Sequence, residues 1–344
     1  MNRQSGFTLI ELLLSLTLGL IITAAAILLF FTSQRSLLIQ KGVSDIQDNA
    51  NFGLNYITKD LRVANLNNTK SIINDETAYS GIVLTSSINA FQDTKTIPPT
   101  PLSNLNKSII GTTANVNLLS RSQGAGMAPG TAPMWTGVSN VQINGVDQLS
   151  DQLVIQYIPQ YTVDAAGNFD GGFDCEGNAL RFTAAVGRQV IVQRYFLRED
   201  ASRETNEPNL PLALACDAGR YPVVGNPAQI INYNDAGEIV MKRVDHFRVL
   251  FGVQHQTNNE RRYVSVNDYM NLALPRPRIV SVQLGFLVRS SETVGAESTV
   301  KDDQNFTILD QTVKVKNANQ TTKYIRQVVS QNIALRNAIG ERGT

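Results

Sequence analysis

Few residues in this chain of 344 have the types and spacing to do chemistry. The first is Glu11, the one ionisable side chain in residues 7–31, FTLIELLLSLTLGLIITAAAILLFF. A carboxylate inside a bilayer costs roughly 2.5–3.5 kcal/mol on insertion scales. Either Glu11 lies close enough to the interface to reach water, or it has a partner. If the chain were cut after Gly6, Phe7 would carry a new α-amino group. The amine of a neighbouring copy, shifted by about one helical turn (~5.4 Å), would then meet Glu11 and set the stagger between packed helices. The residue alone leaves both readings open.

Cys175 and Cys216 are the only cysteines. They form no C-x-x-C, which argues against redox catalysis. They are two unrelated buried thiols, or, outside the cytoplasm, a pair; export favours the pair. A bridge closing a loop of that size is worth about 3–4 kcal/mol in the chain-entropy description. Asp164, Asn168, Asp170, Asp174 and Glu176 crowd VDAAGNFDGGFDCEGN. Oxygen-rich loops hold Ca²⁺, but no register fits an EF-hand. A solvated turn is the first expectation, with calcium in the 164–176 loop as the second. His246 and His255 have no ligand-spaced neighbours, so structural roles and no metal are expected. Gly124, Gly126 and Gly130 have the wrong spacing for a dinucleotide loop. No catalytic constellation with supporting context occurs, so no enzyme and no cofactor are expected. Arg261, Arg262, Arg276 and Arg278, with Tyr263 and Tyr269, read as a solvated face before a DNA-binding patch.

The elements that carry these residues follow from composition and period. With 42% hydrophobic residues and net charge +1, the chain is not disordered, and electrostatic binding to nucleic acid is not expected. Residues 7–31 make about 37 Å of helix, enough to cross a ~30 Å hydrocarbon core. That run is too long for a secretory signal, and its small residue, Gly6, precedes it. Arg3 favours a cytoplasmic N-terminus. The expectation is a single span of the inner membrane with the body in the periplasm. Val43, Ile46, Ala50, Leu54, Ile57, Leu61 and Ala64 continue as a stripe on one helix face. One helix over about 7–65 is expected, interrupted weakly by Gly42 and Gly53. Its parts are a membrane segment, 7–31, and an amphipathic segment, 32–65.

Residues 66–344 read as a β-rich body. Loops dominate 66–150, with strand candidates at Gly81–Thr85, Ser108–Ile110 and Val138–Ile143. Further candidates are Gln152–Ile158, Ala179–Thr183, Gln189–Leu197, Ile230–Tyr233, Glu238–Val253, Arg278–Val288 and Gln311–Val315, with a mixed ending over 323–336. Asn234-Asp235-Ala236-Gly237 is a hairpin signal. The fold class is α+β, one N-terminal helix against antiparallel sheet.

Gly6-Phe7-Thr8-Leu9-Ile10-Glu11 closely resembles the class III leader junction of type IV prepilins. The resemblance implies that residues 1–6 are a leader removed by a prepilin peptidase, that Phe7 is then N-methylated, and that Glu11 assists assembly. The body is similar to the PilW-type minor pilins. The phrases in order are Phe52-Gly53-Leu54, Asp60-Leu61-Arg62, Ser150-Asp151-Gln152-Leu153, Phe173-Asp174-Cys175, Tyr195-Phe196-Leu197 and Leu214-Ala215-Cys216, followed by Val244-Asp245-His246-Phe247-Arg248-Val249, Tyr263-Val264, Val280-Ser281-Val282, Leu287-Val288-Arg289-Ser290 and Ala334-Leu335-Arg336-Asn337. This implies a type IV pilin-like fold and a minor pilin that primes filament assembly and caps the tip. Implied partners are other minor pilins, the major pilin, the prepilin peptidase, the inner-membrane assembly platform and, before assembly, the lipid bilayer; after assembly the chain reaches the cell surface. The membrane half lacks the Pro common in major pilins. Val63-Ala64-Asn65-Leu66 lacks the Gly or Cys of relatives, so a second family disulfide is absent. A type II secretion pseudopilin is the nearest rival. A membrane-anchored enzyme or binding protein is more distant, and an adhesin or DNA-uptake tip would be an added role.

Overall fold

Thr8 starts a helix because its side chain accepts the Glu11 N–H at 3.4 Å while the Glu11 carboxylate accepts the Thr8 N–H at 2.9 Å. In the computed structural model this helix, α1 (Leu9–Val63), then runs without a break for 55 residues, about 82 Å. The structure describes residues 8–87, 90–95, 97, 99–109, 118–122, 137–202, 207–255, 260–294, 300–301, 303–316 and 323–338. The α1 stripe is buried at Ile46, Ala50, Leu54, Ile57 and Leu61, as the spacing predicts, whereas Val43 is half-buried and Gly42 and Gly53, outside the predicted stripe, are buried too. The two glycines do more than weaken the helix. A Cβ on Gly53 would lie 2.6 Å from Met241 Cε and 2.9 Å from its Cβ, so only glycine lets the helix sit this close.

The strands are β1 (Phe91–Asp93), β2 (Thr100–Leu102), β3 (Val141–Ile143), β4 (Val146–Asp147), β5 (Leu153–Tyr157), β6 (Thr162–Val163), β7 (Phe169–Phe173), β8 (Ala179–Phe182), β9 (Gln189–Glu199), β10 (Leu212–Pro222), β11 (Glu238–Met241) and β12 (Val244–Gln254). Then come β13 (Arg261–Ser265), a short helix α2 (Val266–Met270), β14 (Arg278–Arg289), β15 (Phe306–Ile308), β16 (Gln311–Val315), β17 (Arg326–Ala334) and a 3-10 turn, Arg336–Ala338. The strand pairings are antiparallel. Two four-stranded sheets dominate, ordered β11-β10-β9-β5 and β13-β12-β14-β17. Leu197, Leu214 and Cys216 from the first share one core with Phe247, Val249 and Phe286 from the second and with Ile46, Ile57 and Leu61 of α1. Phe247 and Phe286 stack at 4.8 Å within it. The helix lies against β11 on one sheet and β17 on the other. The other face of the first sheet is covered by Val83, Leu105, Ile109 and Leu118 from the loop-rich region.

Several strand expectations change. Glu238–Val253 is two strands in different sheets, because the chain turns at Lys242-Arg243, where Arg243 has φ 54°. Asn49 of α1 holds that turn through both the N–H and the C=O of Lys242. Gly81–Thr85 and Ile230–Tyr233 are not strands; each keeps one isolated bridge, Ile82 to Ile155 and Ile231 to Arg220. Ser108 and Ile109 form no strand, and Ile110 lies outside the described residues. The Asn234–Gly237 turn closes a long β10–β11 connection, with Gly237 N–H on Asp235 Oδ1 at 2.8 Å. Unexpected strands include β10, whose 11 residues all pair with β9. Its Ala213, Ala215, Ala218 and Gly219 carry little β-branched signal, and tertiary pairing decides the strand.

Candidate assembly interface

Residues 8–38 of the chain are exposed throughout, although the segment is the most apolar in the protein. One body cannot cover it: the helix projects about three-fifths of its length before its buried stripe begins at Gly42. Leu9, Ile10, Leu12, Leu13, Leu14 and Leu16 each keep more than half of their surface exposed. Surface of this kind needs lipid or other apolar helices around it. Glu11 points its carboxylate back to Thr8, taking the backbone N–H and the hydroxyl at 2.9 Å each. Thr8-x-x-Glu11 is a capping-box signature in the sequence, and the reading by spacing missed that local partner. Gly6 and Phe7 lie outside the described residues.

The second half of α1 is fixed to the body by polar ties as well as by its stripe. Asp60 is carried into the core and accepts a short hydrogen bond from the Tyr195 hydroxyl of β9. Burial pushes this carboxyl up to about 6. Asn337 Nδ2 caps the helix end by donating to the carbonyls of Arg62 and Ala64, at 3.3 and 3.0 Å. Lys41 pairs with Glu292, and Asp45 accepts from Ser291, on the solvent side.

Beneath the helix the second sheet holds buried charge. Arg243 pairs with Asp200 and Glu207, Arg289 with Glu207 and Asp245, and Arg326 with Asp245. Three guanidinium groups and three carboxylates balance, as buried ions must. A second group, Arg248 with Asp151 and Asp310, pins β12 to the loops beside it, and Asp151 also accepts the Val249 N–H at 2.7 Å. His246 is buried next to Ser139 and Gln311. Burial and the Arg248 charge lower it to about 4, so it is neutral and structural.

Cys175 and Cys216 are bonded, with Cα atoms 6.2 Å apart. The acidic stretch around Cys175 lies on the turns and the middle strand of a small three-stranded sheet, β6-β7-β8. Asp164 and Asp174 are consumed by turn N–H groups, and Asp170 by Gly172 and Arg181. Glu176 accepts from Asn178 Nδ2 at 3.2 Å. The four arginines also separate. Arg276 pairs with buried Asp75, and Arg278 donates to Gln254, leaving Arg261 and Arg262 as exposed members. Tyr269 is buried, with its hydroxyl on the Pro277 carbonyl.

The family described as Type IV Pilus-assembly protein W matches residues 194–337. The prokaryotic N-terminal methylation motif matches residues 1–27. Over residues 194–337 the chain is similar to the PilW-type pilins. A comparison with curated proteins finds no match. Among solved structures, the type IV-like pilin TTHA1219 from Thermus thermophilus is similar at 13% identity, over 55% of this chain and 78% of that one, with a TM-score of 0.24. The PilW phrases fall at the points that tie the body together. They supply the Gly53 contact, Asp60 with Tyr195, Asp151 with Arg248, the Arg289–Asp245 pair, the disulfide and the Asn337 cap. The interface is thus an exposed apolar helix whose other half is held against the body by a buried stripe and polar ties.

Proposed function

We propose that the chain is a minor pilin that joins other minor pilins in the inner membrane, primes filament assembly and stays at the tip. The observation that carries this reading is the helix exposed over residues 8–38 beside a rigidly seated second half. The prepilin motif over residues 1–27 supports a cut between Gly6 and Phe7, methylation of Phe7, and a body on the periplasmic side. After the cut, the neighbouring subunit's amine gives Glu11 an ionic partner that would replace its capping bond to Thr8 and fix the stagger. The action is packing and carries no catalysis.

Mass spectrometry of the processed chain is expected to find N-methyl Phe7 at the N-terminus; an intact Met1 end in cells with active peptidase refutes the cleavage. Deleting the gene should remove surface filaments, and disabling retraction should restore part of them. Complementation with the full chain restores the rest, whereas Glu11→Ala reaches the membrane but recovers few filaments. Unchanged filaments with exported enzymes trapped in the periplasm would instead make the chain a secretion pseudopilin.

A further inference from the structure

Glu176, Asp217 and Asp235 each bring a carboxylate oxygen to one place, all within 4.8 Å of one another. They are far apart in sequence, and the disulfide gathers two of them, because Glu176 follows Cys175 and Asp217 follows Cys216. Asp235 arrives on the β10–β11 connection, where its carbonyl accepts from Arg194 Nη2 at 2.9 Å. The Asp217 side chain is fully buried. Its Oδ2 accepts from Arg194 at 2.6 Å and from the Asn234 N–H at 3.0 Å. Its Oδ1 is buried with no hydrogen-bond partner. Native proteins rarely leave such an oxygen without a donor or a cation.

Charge points the same way. Three carboxylates face one guanidinium, leaving two negative charges. Arg194 reaches Asp217 only through Nη2 and lies over the Phe196 ring at 3.9 Å from its centroid, with its Nε and Nη1 buried and without a hydrogen-bond partner. We propose that Glu176, Asp217 through Oδ1, and Asp235 form a calcium site. Three hard oxygen donors without nitrogen or thiolate select Ca²⁺ over transition metals. Asp235 is exposed and Glu176 is half-buried, so water completes the coordination. Such a site belongs to the weak class of extracellular modules, with Kd around 10⁻⁴–10⁻³ M. The ion would join the β7–β8 turn, β10 and the β10–β11 connection beside α1, whose Tyr56 hydroxyl already donates to the Cys175 carbonyl at 3.0 Å. The inference does not depend on where the subunit sits in a filament.

The test is calorimetric titration of CaCl₂ into the full chain in non-ionic detergent after chelation. Saturable binding of one ion per chain is expected, with Asp235→Asn weakening it at least about tenfold. Asp170→Asn, in the adjacent acidic sheet, should bind as the parent does. Unfolding in chelator shows whether Asp235→Asn folds like the parent; if it does not, Glu176→Gln serves as the variant. Absence of saturable binding to the parent, or binding that survives both substitutions, overturns the site.

Discussion

Asp60 and His246 are both buried, and their proton equilibria are shifted in opposite senses. Asp60 has Tyr195 as its hydrogen-bond partner and Asp174 as a like charge nearby; burial outweighs the bond and lifts it from 3.8 to about 6. Between those values the folded state keeps a proton that the unfolded chain has released, so this contribution to stability falls as pH rises. His246 falls from 6.5 to about 4, facing Arg248, Asp310 and Lys316. Over that window the unfolded chain binds the extra proton, so its contribution falls as pH drops. The two effects oppose each other between about pH 4 and 6. Urea unfolding is expected to show Asp60→Asn gaining on the parent as pH rises through this window, on the order of 2–3 kcal/mol. His246→Gln should gain as pH falls. Parallel profiles would mean that neither group titrates as its burial requires. The sequence marks Asp60 only as a polar residue on a helix. Nothing local to it reveals Tyr195, which lies 135 positions away.

The helix itself was legible because it rests on local signals: an apolar run, a stripe and a cap. The role of its glycines was not, because closeness to another element leaves no trace in helical period. Gly53 and Gly42 give different expectations. Gly53→Ala must push the backbone off Met241 Cβ as well as its mobile end, and should cost about 1–3 kcal/mol despite better helix propensity. At Gly42 the tight contact is the far end of Ile325, at 2.9 Å, which can rotate. Gly42→Ala should therefore be neutral or gain up to about 1 kcal/mol. Equal unfolding midpoints for the two variants would contradict the seating. Strands divide similarly. Gln311–Val315 has its bounds in the sequence, with β-branched residues at period two. β10 stayed hidden behind alanine and glycine, and Glu238–Val253 looked continuous because a sheet change at Arg243 keeps the apolar pattern running.

For the molecule as a whole, the Cys175–Cys216 bond ties the small β6-β7-β8 sheet to the centre of the first large sheet. Replacing both cysteines by serine should lower stability by about 3–4 kcal/mol, read as a shift in urea midpoint; no shift would show that burial alone holds the two segments. The expectation of export and two cysteines were enough to anticipate this bond, and the prepilin motif was readable because Gly6, Phe7 and Glu11 fall within six consecutive residues. The carboxylate cluster beside the bond was not readable, since Asp217 and Asp235 meet Glu176 only after the sheet has formed. A mechanical consequence follows from the position of α1 between β11 and β17. Tension along the anchored half of the helix divides between two sheets that share a core, so neither edge can peel away while the other holds. The body thus meets a pull as one block, and its weakest point under load should be the bare stretch of helix between the membrane and Gly42.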